Sequence, residues 1–553
     1  MPVIEVSIRD LERLVGKTLS LEELEDLLPR LKCEYEGVEG EYVYYEATHD
    51  RPDLFSAEGL SRALKGLLEI ELGMPGVILR QERVKAHVDG PTYRPYAFFA
   101  TVHGLKLDDE AVKQIMQLQE KLHITYCRDR RKVSIGVYDL SKVKPPIYYT
   151  KAKPEEVKFT PLEFAEELTL KEILELHPKG IEYGHLIKSY EEYPLLVDSE
   201  GKVLSMPPIV NSEDTKVTED TKEVFIDVTA TDPQAGLKVL NVVATSIAER
   251  GETIGLVEIE GTWSGVTPDL TPESLLYDNT LTEKVVGIKV SVEKASELLK
   301  KMRMDAKPIS ETKIEVKIPA YRLDILHLID IAEDIAMAYG YENIKPEPYS
   351  PPHPGMPHPI EFFSKIIRET MVGYGFQEVN SYMMTNKKLL YDMMNLPEQP
   401  TVEVLNPKHE NYSCIRTWLI PQLMEVLSQS KHADYPQKIF EVGDVVLIDE
   451  TSSTKTREER HLAFAIADRE VTLTNLLAVL KSLSLQLGFS YKLEPIDHPS
   501  FIPGRSAKIV VNKKNLGILG EIHPRVLLNF ELNVPIIAAE ININVLKEEL
   551  ISP

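Results

Sequence analysis

The sequence predicts an α+β protein of several domains, and three observations predict it. Its 553 residues exceed one core at about 100–200 residues per domain. Helix-period and strand-like segments alternate along its whole length. One proline-dense break divides it. We read a small N-terminal α/β unit (1–85), an α+β unit with substantial sheet (86–272), a small α/β unit (273–345), a linker (346–359) and a strand-rich C-terminal unit (360–553).

In the first unit, Leu21, Leu24, Leu27, Leu28 and Leu31 recur at helical spacing behind a Ser20/Glu23 capping box, with Pro29 limiting the helix end. The run Tyr42-Val43-Tyr44-Tyr45 predicts a strand, and Ser56 is placed to cap a helix burying Leu60, Ala63, Leu64 and Leu67. In the second unit, YAFFATV, KVSIGVYDL, YPLLVDSEGKVLSM and EVFIDVTATD read as strands around helices near 108–124 and 234–250. The third has KVVGIKVSV and TKIEVKIPA as strands, and VEKASELLKKM and LHLIDIAEDIAMAYG as helices. Seven prolines in the fifteen residues 345–359 exclude helix and interior strand there. The last unit opens on a helix, FFSKIIRETMVGYG, and ends on HLAFAIAD, a hairpin around Asn512–Asn515, and IIAAEININV.

Composition narrows the function. Sixty-three Lys and Arg against 87 Asp and Glu leave a net charge of -24, which excludes a general electrostatic nucleic-acid binder but not a local basic patch. Cys33, Cys127 and Cys414 lie too far apart for a disulfide framework or a Cys-based zinc site. Glu5, Asp10 and Glu12 stand where a signal peptide needs an apolar core, and no apolar run approaches the ~20 residues of a membrane span. A cytoplasmic chain with no membrane contact is expected.

Familiar catalytic patterns fail. Gly16-Lys17-Thr18 lacks the first glycine of a phosphate-binding loop, Ser452 and Lys455 sit in a polar loop, and His353 and His358 have no further ligands. Two regions remain. Asp330, Glu333 and Asp334 share one helix face with Asp324 at its entrance, four carboxylates that could hold Mg²⁺; the alternative is a capping Asp324 and a solvated face. Asp227 and Thr229, two apart, project from one side of a strand, either a polar site or an ordinary strand face. Arg128, Arg130, Arg131 and Lys132 beside Tyr126 form a basic cluster able to meet phosphate and a stacked base.

Eight segments give these residues a context: HDRPDLFSAEGLSRAL, LQEKLHITYCRDRRKVSIGVYDL, VLSMPPIVNSE, FIDVTATD, YRLDILHLIDIAEDIAMAYGYENI, IRTWLIPQL, IFEVGDVV and GILGEIHP. In this order, from residue 49 to 524, they resemble the β subunits of archaeal/eukaryotic-type phenylalanyl-tRNA synthetases. The resemblance implies B1-like, B3/B4-like and B5-like domains and a C-terminal class II synthetase-like antiparallel-sheet domain without an active site. Arg416 is followed two residues later by Trp418 where an ATP-binding motif places a carboxylate, and FIPGRSA has Arg505 without a G-x-G-x-x-R clamp.

The same resemblance implies that an α subunit performs ATP-dependent charging of tRNA(Phe), in a complex of two α and two β chains. The β chain then contributes scaffold, RNA contacts and hydrolysis of mischarged Tyr-tRNA(Phe). Asp227, Thr229 and Ser205 are expected to line the editing pocket, with Leu195 and Asn211 nearby. Lys202, Gln119 and Arg130 are expected to orient the terminal adenosine or its phosphate. Asp324, Asp330, Glu333 and Asp334 match the family's metal spacing and imply Mg²⁺ at the contact with α. The alternatives are a scaffold that does not edit and a free-standing trans-editing hydrolase.

Overall fold

The computed structural model describes every residue except 347, 349–352 and 552–553; part of the 346–359 linker therefore lies outside the described residues. The chain forms two units, Met1–Pro348 and Tyr349–Pro553.

The first unit is built on three main sheets, with a small two-stranded ribbon of Lys158–Phe159 and Leu168–Thr169. Val3–Ser7, Tyr42–Ala47 and Cys33–Glu39 make an antiparallel N-terminal sheet. Beside it the helix Leu21–Leu27 starts on the expected Ser20/Glu23 capping box, and buries Leu24 and Leu27 while Leu21 stays half exposed. The helix Ala57–Leu67, capped by Ser56, buries Leu60, Ala63 and Leu64.

A ten-stranded sheet follows, in the order Val210–Asn211, Val203–Met206, Tyr193–Val197, Ile147–Ala152, Leu79–Val88, Thr253–Gly261, Tyr96–His103, Glu223–Ala230 and Val133–Asp139, with Gly265–Thr267 against Thr253–Gly261. Its strand Leu79–Val88 begins before residue 86, so the expected boundary at 85/86 cuts a strand that the sheet keeps whole. The helices Asp109–Ile124 and Pro233–Ala248 cover it, the second burying Val239, Leu240, Val242, Val243 and Ile247.

The third sheet has the order Glu273–Asp278, Lys313–Ile318, Asp305–Pro308. KVVGIKVSV, expected as a strand, is instead the end of the helix Thr280–Val286, closed by Gly287 at φ 83°. The β-branched residues there are overruled by the left-handed stop that only glycine takes without strain.

In the second unit, the helix Pro359–Gly373 begins on its proline, whose missing N–H has no partner to lose at that position. The main sheet runs Gln377–Glu378, Gln437–Ile448, Thr456–Ala467, Ile536–Asn542, Lys514–Ile522, Phe501–Val511, Lys492–Pro495. The expected hairpin turns at Asn512 and Lys513, both at positive φ, the geometry that a two-residue turn needs to match strand twist. Glu540 accepts from the amides of Leu419 and Ile420, at the start of the helix Ile420–Gln429, and lies 2.7 Å from His461 Nδ1.

Burial opposes charge on His461, but Glu459 and Glu540 outweigh it and lift the imidazole from 6.5 to about 9. A histidine held charged by folding adds stability that is complete below pH 6.5 and lost as the pH rises through 9. The urea midpoint of this unit should therefore fall between pH 6.5 and 9.5, by a loss of up to ~3 kcal/mol. His461→Gln should flatten that slope; an equal slope in the variant would remove His461 as its source.

Candidate functional site

The ten-stranded sheet curls until its ends meet, and the candidate site lies on that seam. Strand Val133–Asp139 at one end pairs with Glu223–Ala230 so that Ser134 faces Thr229, Gly136 faces Asp227 and Tyr138 faces Phe225. At the other end Ser205 pairs with Asn211 across a turn containing Pro207 and Pro208. The Tyr138 hydroxyl bridges the ends: it donates to Asp227 Oδ1, and lies 2.8 Å from Ser205 Oγ and 3.4 Å from Asn211 Oδ1. Gly136 permits this approach, because a Cβ there would overlap both Asp227 Oδ1 and the Tyr138 hydroxyl.

Burial pushes the Asp227 carboxyl up to about 7, against the pull of Tyr138 and Arg94. A cavity of about 20 Å³ opens among Tyr138, Ser205, Asn211 and Asp227, enough for one water or one hydroxyl oxygen. Beside it a cavity of about 300 Å³ lies between Gln119, Glu120 and His123 of the helix Asp109–Ile124 and the 209–217 segment. Arg130 and Asn211 border both cavities.

Ser205, Asn211, Asp227 and Arg130 thus come together, and Gln119 lines the larger space. Three expected pocket residues border neither cavity. Leu195 is buried in a satellite core with Phe159, Ile173 and Tyr183. Lys202 turns its ammonium onto the Lys142 carbonyl at 3.0 Å. Thr229 shares the Asp227 face, but its hydroxyl is taken by Arg94 Nε and Ser134, each at 2.8 Å. Arg130, expected to meet phosphate, is buried: its guanidinium donates to the Pro208 and Ile209 carbonyls and to Glu120 at 2.6 Å, and lies over the Tyr183 ring.

His123, unremarked in the sequence, accepts from Ile135 N–H at Nε2, which leaves its proton on Nδ1. Burial pushes it down to about 4. The neutral ring therefore presents a donor, not a base.

The four carboxylates expected to bind Mg²⁺ do not converge on one point: Asp324 and Asp334 meet on Arg322, and Asp330 and Glu333 have partners of their own. Arg322 donates to both oxygens of Asp324, at 2.8 and 2.7 Å, and to Asp334 at 2.8 Å. Asp330 accepts from the amides of Leu326 and His327 in a capping box, and Glu333 pairs with Lys32 at 2.7 Å. Behind them Arg51 clasps Asp53 through two bonds of 2.9 Å. Burial raises the Asp324 carboxyl, but Arg322 and Arg51 reverse this and hold it well below the usual range. A guanidinium stands where a metal was expected, so these residues do not fit the ion. Among the described residues the one cluster of three acids close enough to share a cation is Glu34, Glu36 and Glu46, on the solvent side of the N-terminal sheet.

Arg416 is likewise engaged within the protein, donating to Glu441 at 2.7 Å, Gln422 at 2.8 Å, Ser381 at 2.9 Å and the Asp444 carbonyl. Arg505 pairs with Glu521 at 2.7 Å. Among the described residues no helix is long and apolar enough to cross a membrane.

Comparison with known proteins places this architecture. Residues 346–543 match the phenylalanyl tRNA synthetase beta chain CLM domain, 277–341 the tRNA synthetase B5 domain and 109–253 the B3/4 domain. A Thermofilum pendens phenylalanine–tRNA ligase beta subunit is 54% identical over 545 residues, 99% of this chain and 98% of the relative. The Pyrococcus furiosus beta subunit is 48% identical over 550 residues, 98% of this chain and 99% of that one. The crystal structure of an N-terminal fragment of the Pyrococcus horikoshii beta subunit matches with a TM-score of 0.59 at 46% identity, over 62% of this chain and all of the fragment. With relatives this similar over nearly the whole length, the chain belongs to the archaeal phenylalanine–tRNA ligase beta-subunit family.

Proposed function

We propose that this chain is the editing and assembly subunit of a phenylalanine–tRNA ligase, and that the seam between the two ends of its large sheet hydrolyses Tyr-tRNA(Phe). One observation carries the reading: Asp227 from one end of the sheet and Ser205 and Asn211 from the other, joined by Tyr138, converge on a hydroxyl-sized space that adjoins a larger cavity. A hydrophobic pocket for phenylalanine rejects tyrosine by only ~10²-fold. A second pocket lined by buried acceptors inverts the preference, because phenylalanine leaves each acceptor unpaired at ~1–3 kcal/mol. Water then adds to the ester carbonyl, the ribose oxygen leaves and takes the proton, and tyrosine and tRNA are released. An activated ester needs only a held geometry, and no covalent nucleophile is required.

ATP-dependent charging, with Mg²⁺, belongs in this reading to an α subunit, in a cytoplasmic complex of two α and two β chains on tRNA(Phe). The occupied Arg416 supports leaving ATP to the partner. The C-terminal unit supports the partnership: its helix Pro359–Gly373 exposes Phe362, Ile366 and Val372, and Tyr382, Met384 and Leu405 are exposed as well. Phe362 and Ile366, four apart, share one face of that helix, an apolar stripe fit for a partner subunit, for which a free-standing hydrolase has no evident use.

The test is tyrosine release from preformed Tyr-tRNA(Phe) by the α/β complex, with Phe-tRNA(Phe) as control. Tyrosine-selective release, reduced at least tenfold by Asp227→Ala, is expected. A complex that charges tRNA but releases no tyrosine above the uncatalysed rate would leave the chain a scaffold.

A further inference from the structure

We propose that Tyr138 is the positioning residue of hydroxyl recognition, fixing Asp227 and Ser205 so that an incoming phenol meets acceptors alone. The inference rests on the editing reading above and deepens it. Tyr138 carries one hydroxyl proton, and three acceptors surround it: Asp227 Oδ1, Ser205 Oγ at 2.8 Å and Asn211 Oδ1 at 3.4 Å. The proton goes to the carboxylate, since a charged acceptor makes the stronger bond. It cannot also serve Ser205, so the serine's own proton closes that contact. Asn211 Oδ1 and the second oxygen of Asp227 are left as acceptors on the hydroxyl-sized cavity. A tyrosyl hydroxyl supplies the donor they lack; a phenylalanyl ring supplies none.

The arrangement is rigid. Tyr138 is 1% exposed, its ring packs against Phe225, and its hydroxyl and Asp227 Oδ1 fill the space that a side chain at Gly136 would take. Tyr138 also decides which form of Asp227 the substrate meets. Burial favours the neutral carboxyl, and the Tyr138 bond opposes it. The charged groups facing Asp227 are Arg94, held by the Thr229 hydroxyl and carbonyl, and Arg130, which borders the same cavity. Tyr149, whose hydroxyl donates to the Arg94 carbonyl at 2.9 Å, is a further titratable group close by. None of these depends on the Tyr138 hydroxyl. Without that hydroxyl the carboxyl takes up a proton at higher pH, and an acceptor becomes a donor.

The experiment follows tyrosine and phenylalanine release by the whole α/β complex between pH 5.5 and 9. For Tyr138→Phe, release from Tyr-tRNA(Phe) at pH 7 should fall about tenfold or more, and recover as the pH rises. The acid limb should move up by about one unit, the tyrosine-to-phenylalanine ratio should fall, and charging should be unchanged. Site-specific Tyr138→3-fluorotyrosine, a stronger donor of the same shape, should move the acid limb down, so the proposal stays testable if the phenylalanine variant fails to assemble. An acid limb and a release ratio unmoved by either change would overturn the role of Tyr138. Absence of release from the unaltered complex would instead overturn the editing reading itself.

Discussion

Arg322→Met is expected to destabilise the N-terminal unit by about 3–5 kcal/mol, the loss found when one partner of a buried ion pair is removed. Arg322 and the side chains of Asp324 and Asp334 are almost fully buried, and the guanidinium supplies both bonds to Asp324 and one to Asp334. Removing it strands two carboxylates beside Asp53, with Arg51 as the remaining cation. Urea unfolding at pH 7 checks the magnitude. In parallel, Mg²⁺ and EDTA should leave the midpoint of the unaltered protein where it is, because the acids that match a metal spacing already have partners. A midpoint that rises with Mg²⁺, and ceases to do so in Asp330→Asn, would restore the metal.

Gly136→Ala is expected to reduce tyrosine release at least 10²-fold while charging by the complex persists. The added methyl group falls on Asp227 Oδ1 and the Tyr138 hydroxyl. Neither can yield cheaply: Asp227 stands on a strand paired on both sides, and Tyr138 is held by Ser205 and Asn211. Overpacking of this kind costs about 1–3 kcal/mol, which a protein of this size survives, so the loss should appear in editing rather than in yield of the complex. Retained tyrosine selectivity in Gly136→Ala would show that the hydroxyl is read elsewhere.

The sequence carried local features and missed those that depend on pairing. The Ser20/Glu23 box and the 512–515 hairpin are local, with every determinant inside a few residues, and both are present. KVVGIKVSV misled because β-branched composition speaks for strand, while the stop at Gly287 lies in backbone geometry. At the site, Asp227 was legible as a polar residue on an apolar strand. Its partners were not, because Gly136 and Tyr138 become its neighbours only through the register of two strands far apart in the chain. The pattern Ser134-x-Gly136-x-Tyr138 held that information, since alternate residues share a face, but nothing local says which strand it opposes. The acidic quartet shows the reverse failure: the spacing was real, and Arg322, two residues before the first acid, together with Lys32 from a distant segment settled what it does.

The network around Arg51 and Arg322 bears on how such chains can be recombined. Arg51 and Asp53 belong to the N-terminal segment, Asp324 and Asp334 to the segment before the linker, yet Arg51 lies 3.9 Å from Asp324 and Arg322 binds both later acids. An exchange of the first seventy or so residues between relatives inherits half of this charge set from each parent. A chimera that also carries residues 322–334 keeps the guanidinium and carboxylate groups matched. The natural unit of inheritance here is a pair of distant segments, not a contiguous domain.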